Sequence, residues 1–188
     1  PSFLIAKSPE VHGISQASAF SDSLRIVSRG NSPADGHIVA ESHRQVGRMI
    51  RDGSDYKAVE AYINQNAAKY NFMNQTGLYG NIRIPENEFE GYYWKGRGKD
   101  FYPYWKSLNI PALVFFGEDD EYVNANQNES SLTGLNNPKI TVKKFARANH
   151  AMKKTFNPAK YPDFDWPRIT EGYLDYLEKW IKDEANKK

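Results

Sequence analysis

Two short segments hold the residue types from which a reaction could be built. In Gly117 to Val123, GEDDEYV, three carboxylates (Glu118, Asp119 and Asp120) stand in a row with Glu121 behind them. Ala146 to His150, ARANH, ends on a histidine 30 residues beyond Asp120. A carboxylate that accepts an imidazole N–H fixes the ring's tautomer and stabilises the imidazolium. The other ring nitrogen is then available to take a proton from a serine. Carboxylates gathered in one turn also commonly do no more than face water, so a solvated acidic loop is the competing reading of residues 118–121. A cation site on Glu118 and Asp119 is disfavoured for the same reason.

Each segment follows a stretch that reads as a strand. Pro111 cannot continue a helix, Ala112 to Phe116 form an unbroken apolar run rich in branched and aromatic side chains, and Gly117 closes it. Such a run is expected of a parallel strand covered on both faces. Lys139 to Phe145, KITVKKF, alternates as a second strand. Open α/β sheets hold their ligands at the C-terminal ends of their strands, and successive strand ends can bring distant residues side by side. Spacing leaves open whether Asp120 and His150 meet.

The rest of the chain reads mostly as helix and loop. Phe3 to Ala6, stopped by Pro9, read as the last turns of a helix, with the chain opening inside an element, and Val11 to Ser18 as a short strand. Arg29 to Gly36 is a loop by composition. Ile38, Val39, Val46, Met49 and Ile50 fit one face of a helix from His37 to Arg51. A second helix is expected from about Asp55 to Tyr70, with Ser54 or Asp55 as its cap. Tyr92, Tyr93, Trp94, Phe101, Tyr102, Tyr104 and Trp105 form an aromatic patch interleaved with Lys95, Arg97 and Lys99. Packing in a lid over a cleft is favoured over stacking on bases or sugars. After an Asn-rich segment and a short helix through Leu132, the chain closes with a helix that Pro167 could start and that carries Tyr173, Leu174, Leu177, Trp180 and Ile181 on its apolar face.

Composition sets outer bounds. With 39% hydrophobic residues, 188 residues suffice for a core. The net charge of +2, with basic residues spread along the chain, makes no case for nucleic acid or an anionic membrane. Absence of cysteine excludes disulfides, thiolate catalysis and cysteine-ligated zinc. No run approaches the roughly 18 apolar residues of a membrane helix, and no residue pattern calls for a cofactor or metal. His37 and His43, six apart on a helix, would face different ways and are poor joint ligands. His12 reads as a strand residue with a local partner. Asn74-Gln75-Thr76 and Asn128-Glu129-Ser130 match the glycan acceptor pattern, as chance allows in an Asn-rich chain.

With these residues in view, GEDDEYV resembles the G-E-x-D-x-x-V turn after the seventh strand of α/β-hydrolases, which assigns the triad acid to Asp120 rather than Asp119. NHAMKKT, residues 149–155, is similar to the turn after their eighth strand that carries the catalytic histidine, here His150. SPEVHGISQAS, residues 8–18, resembles the approach to their sixth strand. The nearest likeness is to bacterial serine hydrolases of the peptidase and esterase branches. The resemblance implies an α/β fold that is the C-terminal part of the hydrolase sheet. Residues 1–28 would be the end of a core helix and one core strand, 29–107 a helical cap insertion, and 108–188 the C-terminal core. It further implies hydrolysis of an ester or short peptide through an acyl-enzyme, without cofactor.

This chain departs from the family at the nucleophile: no G-x-S-x-G stands in it. Gly13 to Ala17, GISQA, is a near match that makes Ser15 a minor candidate. The resemblance therefore puts the serine upstream of Pro1. Three strands also leave sheet edges uncovered, so the segment is expected to need the preceding chain or a second copy to complete its fold. A non-catalytic module binding peptide or glycan through the aromatic patch is the alternative.

Overall fold

A computed structural model describes residues 2–76, 89, 92–155 and 168–187. By internal contacts the chain divides into a unit of Pro1–Val11 with Tyr102–Lys188 and a unit of His12–Phe101.

The first unit is mixed α/β, a three-stranded parallel sheet with helices packed on it. Its strands are β1 (Leu4–Lys7), β2 (Ala112–Gly117) and β3 (Ile140–Phe145), in the spatial order β1-β2-β3. Leu4 stands opposite Ala112, and Ala112 opposite Ile140. All six residues of β2 are buried, as its apolar run requires of a central strand covered on both faces. Leu113 and Phe115 pack with Phe145, Ala148 and Met152 beneath Tyr173, Tyr176, Leu177 and Trp180 of the closing helix (Tyr173–Ala185). Strand alternation points Ala112, Val114 and Phe116 to the opposite face. The helix Ala125–Gly134 packs against β2 and β3. Asn124 caps it, accepting from the Gln127 N–H at 3.0 Å. A short helix, Tyr102–Lys106, leads toward β2.

The second unit is helical. Its elements are α1 (Ile14–Ser28), α2 (Pro33–Arg51), α3 (Tyr56–Lys69), a 3₁₀ turn (Asn71–Gln75) and the short α4 (Tyr92–Arg97). Ile26, Val39, Val46, Ile50, Val59, Ile63, Met73, Phe89 and Trp94 make one core. Asp55 caps α3 by accepting from the Ala58 N–H at 2.8 Å. Buried within this unit, the His43 Nε2–H donates to Asp22 at 2.9 Å, and Arg25 pairs with the other Asp22 oxygen at 2.6 Å. Burial is the largest influence on His43 and pushes its pKa down. The Asp22 hydrogen bond and charge pull it up, and the charges of Arg97 and Arg25 add to the lowering.

Several expectations are corrected. Residues 4–7 are a strand rather than a helix end: a four-residue apolar run has no period of its own, and pairing with β2 decides its conformation. Val11 to Ser18 is no strand, because α1 begins at Ile14 after Gly13, whose φ of 99° suits only glycine. Its buried residues Ser15, Ala19, Asp22 and Ile26 follow a helical spacing, but small and polar types hide the stripe from a hydrophobic count. The helix expected from His37 starts at Pro33, since Ser32 and Asp35 form a capping box inside the stretch read as loop. The aromatic patch is not one surface. Trp94 belongs to the helical unit's core at 5% exposure, Trp105 is buried in the other unit, and Tyr104 is 70% exposed. His37 is exposed while His43 is buried. Asn128 is 1% exposed, its side-chain oxygen accepting from the Val11 N–H at 2.8 Å, so it offers nothing to a glycan; Asn74 is exposed. A helix start at Pro167 falls outside the described residues. No helix among those described is long and apolar enough to cross a membrane.

Candidate active site

The sheet brings the two reactive segments together. Beyond β2 the chain stays bound to its neighbour: the Glu118 N–H donates to the Phe145 carbonyl and the Asp119 N–H to the Ala148 carbonyl, both at 2.9 Å. This approach requires glycine at 117, because a Cβ there would lie 2.3 Å from the Ala148 oxygen and 2.6 Å from that of Asn149. The two turns thus touch backbone to backbone, and Asp120 is carried to the base of His150.

The Asp120 side chain is fully buried, whereas that of His150 is 38% exposed. One Asp120 oxygen accepts from the Tyr122 N–H at 2.8 Å and the Val123 N–H at 3.0 Å. Both oxygens face His150 Nδ1, the other at 3.0 Å and this one at 3.2 Å. Two backbone donors therefore hold the carboxylate still, and the Nδ1–H donates to it. That tautomer leaves Nε2 as the ring's acceptor. The Tyr122 ring stands edge-on to the imidazole, centroids 5.3 Å apart, and fixes its plane from the side.

The turn under His150 has its own frame. The side-chain oxygen of Asn149 accepts from the N–H groups of Ala151 at 2.9 Å and Lys153 at 3.0 Å, and the Met152 N–H returns to the Asn149 carbonyl. Such a self-capped turn is what asparagine provides more readily than other residues. The Thr155 N–H and the Lys154 N–H bond back to the carbonyls of Arg147 and Arg168, both at 2.7 Å. Asp119 is tied off by the Thr155 hydroxyl at 2.5 Å, and Glu118 and Glu121 are exposed, so Asp120 alone of the four acids faces the histidine. Among the described residues no cluster of three His, Asp or Glu side chains is arranged to hold a metal.

Ser15 lies in the other unit, in the first turn of α1, 7% exposed, with its hydroxyl donating to the Arg97 carbonyl at 2.9 Å. A different serine stands at the end of β1, beside β2. Ser8 is 3% exposed, has φ 45°, and its Oγ has no hydrogen-bond partner among the described residues. Left-handed backbone at a non-glycine residue is strained and recurs at functional sites. Sequence reasoning gave no role to Ser8, Thr155 or Tyr122, and took Asn149 only as the residue before the histidine in the NHAMKKT turn. Only the asparagine immediately before the histidine offered a signal.

No family model, characterised protein or solved structure matches this chain.

Proposed function

We propose that this chain is the C-terminal portion of a capped α/β-hydrolase of the bacterial peptidase and esterase kind. In this reading Asp120 and His150 act on a serine supplied by chain upstream of Pro1. The observation that carries it is the buried Asp120 carboxylate on His150 Nδ1, with Nε2 left as acceptor at the C-terminal edge of a parallel sheet.

The chemistry runs as two half-reactions. His150 Nε2 takes the serine proton as the serine oxygen attacks the ester or amide carbonyl, and the imidazolium is stabilised by Asp120, which stays ionised. The same proton passes to the departing alcohol or amine, leaving an acyl-enzyme. Water then attacks, giving its proton to Nε2, and the serine leaves with that proton as the acid is released.

His150→Ala in the complete protein is expected to lower ester hydrolysis by at least about 10³-fold and to suppress serine labelling by a fluorophosphonate while the fold is kept. Turnover retained in that variant refutes the reading. The alternative, a non-catalytic module that binds peptide or glycan, has the 70% exposed Tyr104 in its favour. Trp94 and Trp105 are buried and not available to such a ligand.

A further inference from the structure

An aromatic ring adjoins His150, and holding the histidine does not use up its surface. Tyr122 is 50% exposed, yet its position is fixed. Its N–H donates to the buried Asp120 carboxylate at 2.8 Å, and the N–H of Val123, itself only 4% exposed, donates to the same oxygen at 3.0 Å. The backbone at 122 is thus held between two buried neighbours. The ring stands edge-on to the His150 imidazole, centroids 5.3 Å apart and planes at 72°.

A large side chain that is half in water at a fixed position is a ready contact surface. Tyrosine turns about only two side-chain bonds, and here the anchored backbone and the imidazole already restrain it. Little freedom is left to lose when another group covers its exposed part. The imidazole is itself 38% exposed, so the two rings together form an aromatic step open to solvent beyond the C-terminal ends of β2 and β3.

The reaction decides what meets this step. When Nε2 hands its proton to the departing oxygen, that oxygen lies within hydrogen-bond reach of the imidazole, about 3 Å away. Whatever the oxygen carries then sits beside the imidazole, and the Tyr122 ring packs against that imidazole. The acyl part is tethered to the serine instead. We infer, resting on the hydrolase reading above, that Tyr122 is a specificity-determining residue whose exposed ring takes the leaving group of the ester. It favours an aromatic alcohol over a small aliphatic one, because ring-on-ring contact adds to the apolar area removed from water. Covering about half a ring face on each partner corresponds to roughly tenfold in binding.

Benzyl acetate and ethyl acetate are the probes, since they share an acyl group, pass through the same acetyl-enzyme and release alcohols of similar acidity. kcat/KM covers the steps through acylation, so its ratio between the two esters isolates the leaving group. In the complete protein the ratio is expected to favour benzyl acetate by about tenfold or more, to fall at least about fivefold in Tyr122→Ala, and to be kept in Tyr122→Phe, which retains the ring. A second arm needs no turnover. Benzyl alcohol titrated into the same protein should give saturable shifts of the Tyr122 and His150 ring signals in aromatic ¹H–¹³C spectra, ethanol should give none, and the His150 shift should vanish in Tyr122→Ala. An ester ratio unchanged by Tyr122→Ala, loss of the preference in Tyr122→Phe, or benzyl alcohol shifts that do not saturate or fall elsewhere would each overturn the assignment. Saturable shifts at the two rings, with neither ester hydrolysed and no serine labelled by a fluorophosphonate, would refute the hydrolase reading and leave the aromatic subsite standing.

Discussion

Replacing Asp120 by Asn tests the orientation of His150 without needing a substrate. The Asp120 oxygen that accepts from Tyr122 and Val123 can be kept by the amide oxygen of Asn, so both backbone bonds at 2.8 and 3.0 Å survive. The other oxygen, 3.0 Å from His150 Nδ1, becomes an NH₂ group. Donor then faces donor across the shorter contact, and the retained amide oxygen, 3.2 Å from Nδ1, is already shared by two backbone N–H groups. The least costly response is a change of tautomer that puts the proton on Nε2 and lets Nδ1 accept from the amide. One hydrogen bond to a charged acceptor is exchanged for a neutral one. The stability cost is about 1 kcal/mol, toward the low end for charged pairs because more than a third of the histidine side chain faces water. The chemical cost is larger, since Nε2 can no longer accept a proton, and about 10⁴-fold in turnover is the expected size for a triad. The assay is long-range ¹H–¹⁵N spectroscopy of the imidazole, which distinguishes the tautomers, beside urea unfolding. The wild type should carry its proton on Nδ1 and Asp120→Asn on Nε2, with nearly equal unfolding midpoints. The same tautomer in both would refute the claim that Asp120 sets the ring.

Two further outcomes follow from contacts elsewhere. Gly117→Ala puts a methyl group 2.3 Å from the Ala148 carbonyl oxygen; backbone on both sides cannot retreat cheaply, so a loss of about 2 kcal/mol or more in urea unfolding is expected, together with loss of the slowed exchange of the Asp119 amide. In the helical unit, the pKa of buried His43 is lowered by folding, so the neutral ring costs nothing above the unfolded value of about 6.5, while below it the unfolded chain takes up a proton the native state refuses. Stability should therefore fall as pH drops below about 6.5, by at most about 1.4 kcal/mol per pH unit for this one group, and His43→Gln, which keeps a donor for Asp22 but does not titrate, should flatten that slope in denaturation curves at pH 7.5 and 5.5.

How much could be read beforehand differs from element to element, for identifiable reasons. β2 was legible because Pro111 and Gly117 bracket five apolar residues, and a strand buried on both faces needs no alternation to be recognised. α3 was legible from its cap and stripe. β1 was not, because four residues hold no period and its conformation is imposed by the ladder to β2. α1 was obscured because Ser15 and Asp22 occupy buried positions where a hydrophobic pattern expects aliphatic residues. Each is there for a partner far along the chain, Arg97 and His43.

By itself the sequence determined that an acid-rich turn and a histidine each follow a strand, because local apolar runs and their terminators are properties of neighbouring residues. The resemblance named Asp120, but that it meets the histidine was decided only by tertiary structure. The parallel register of β2 on β3 and the bare backbone of Gly117 bring one turn onto the other, leaving Asp120 facing His150 while Asp119 bonds to Thr155.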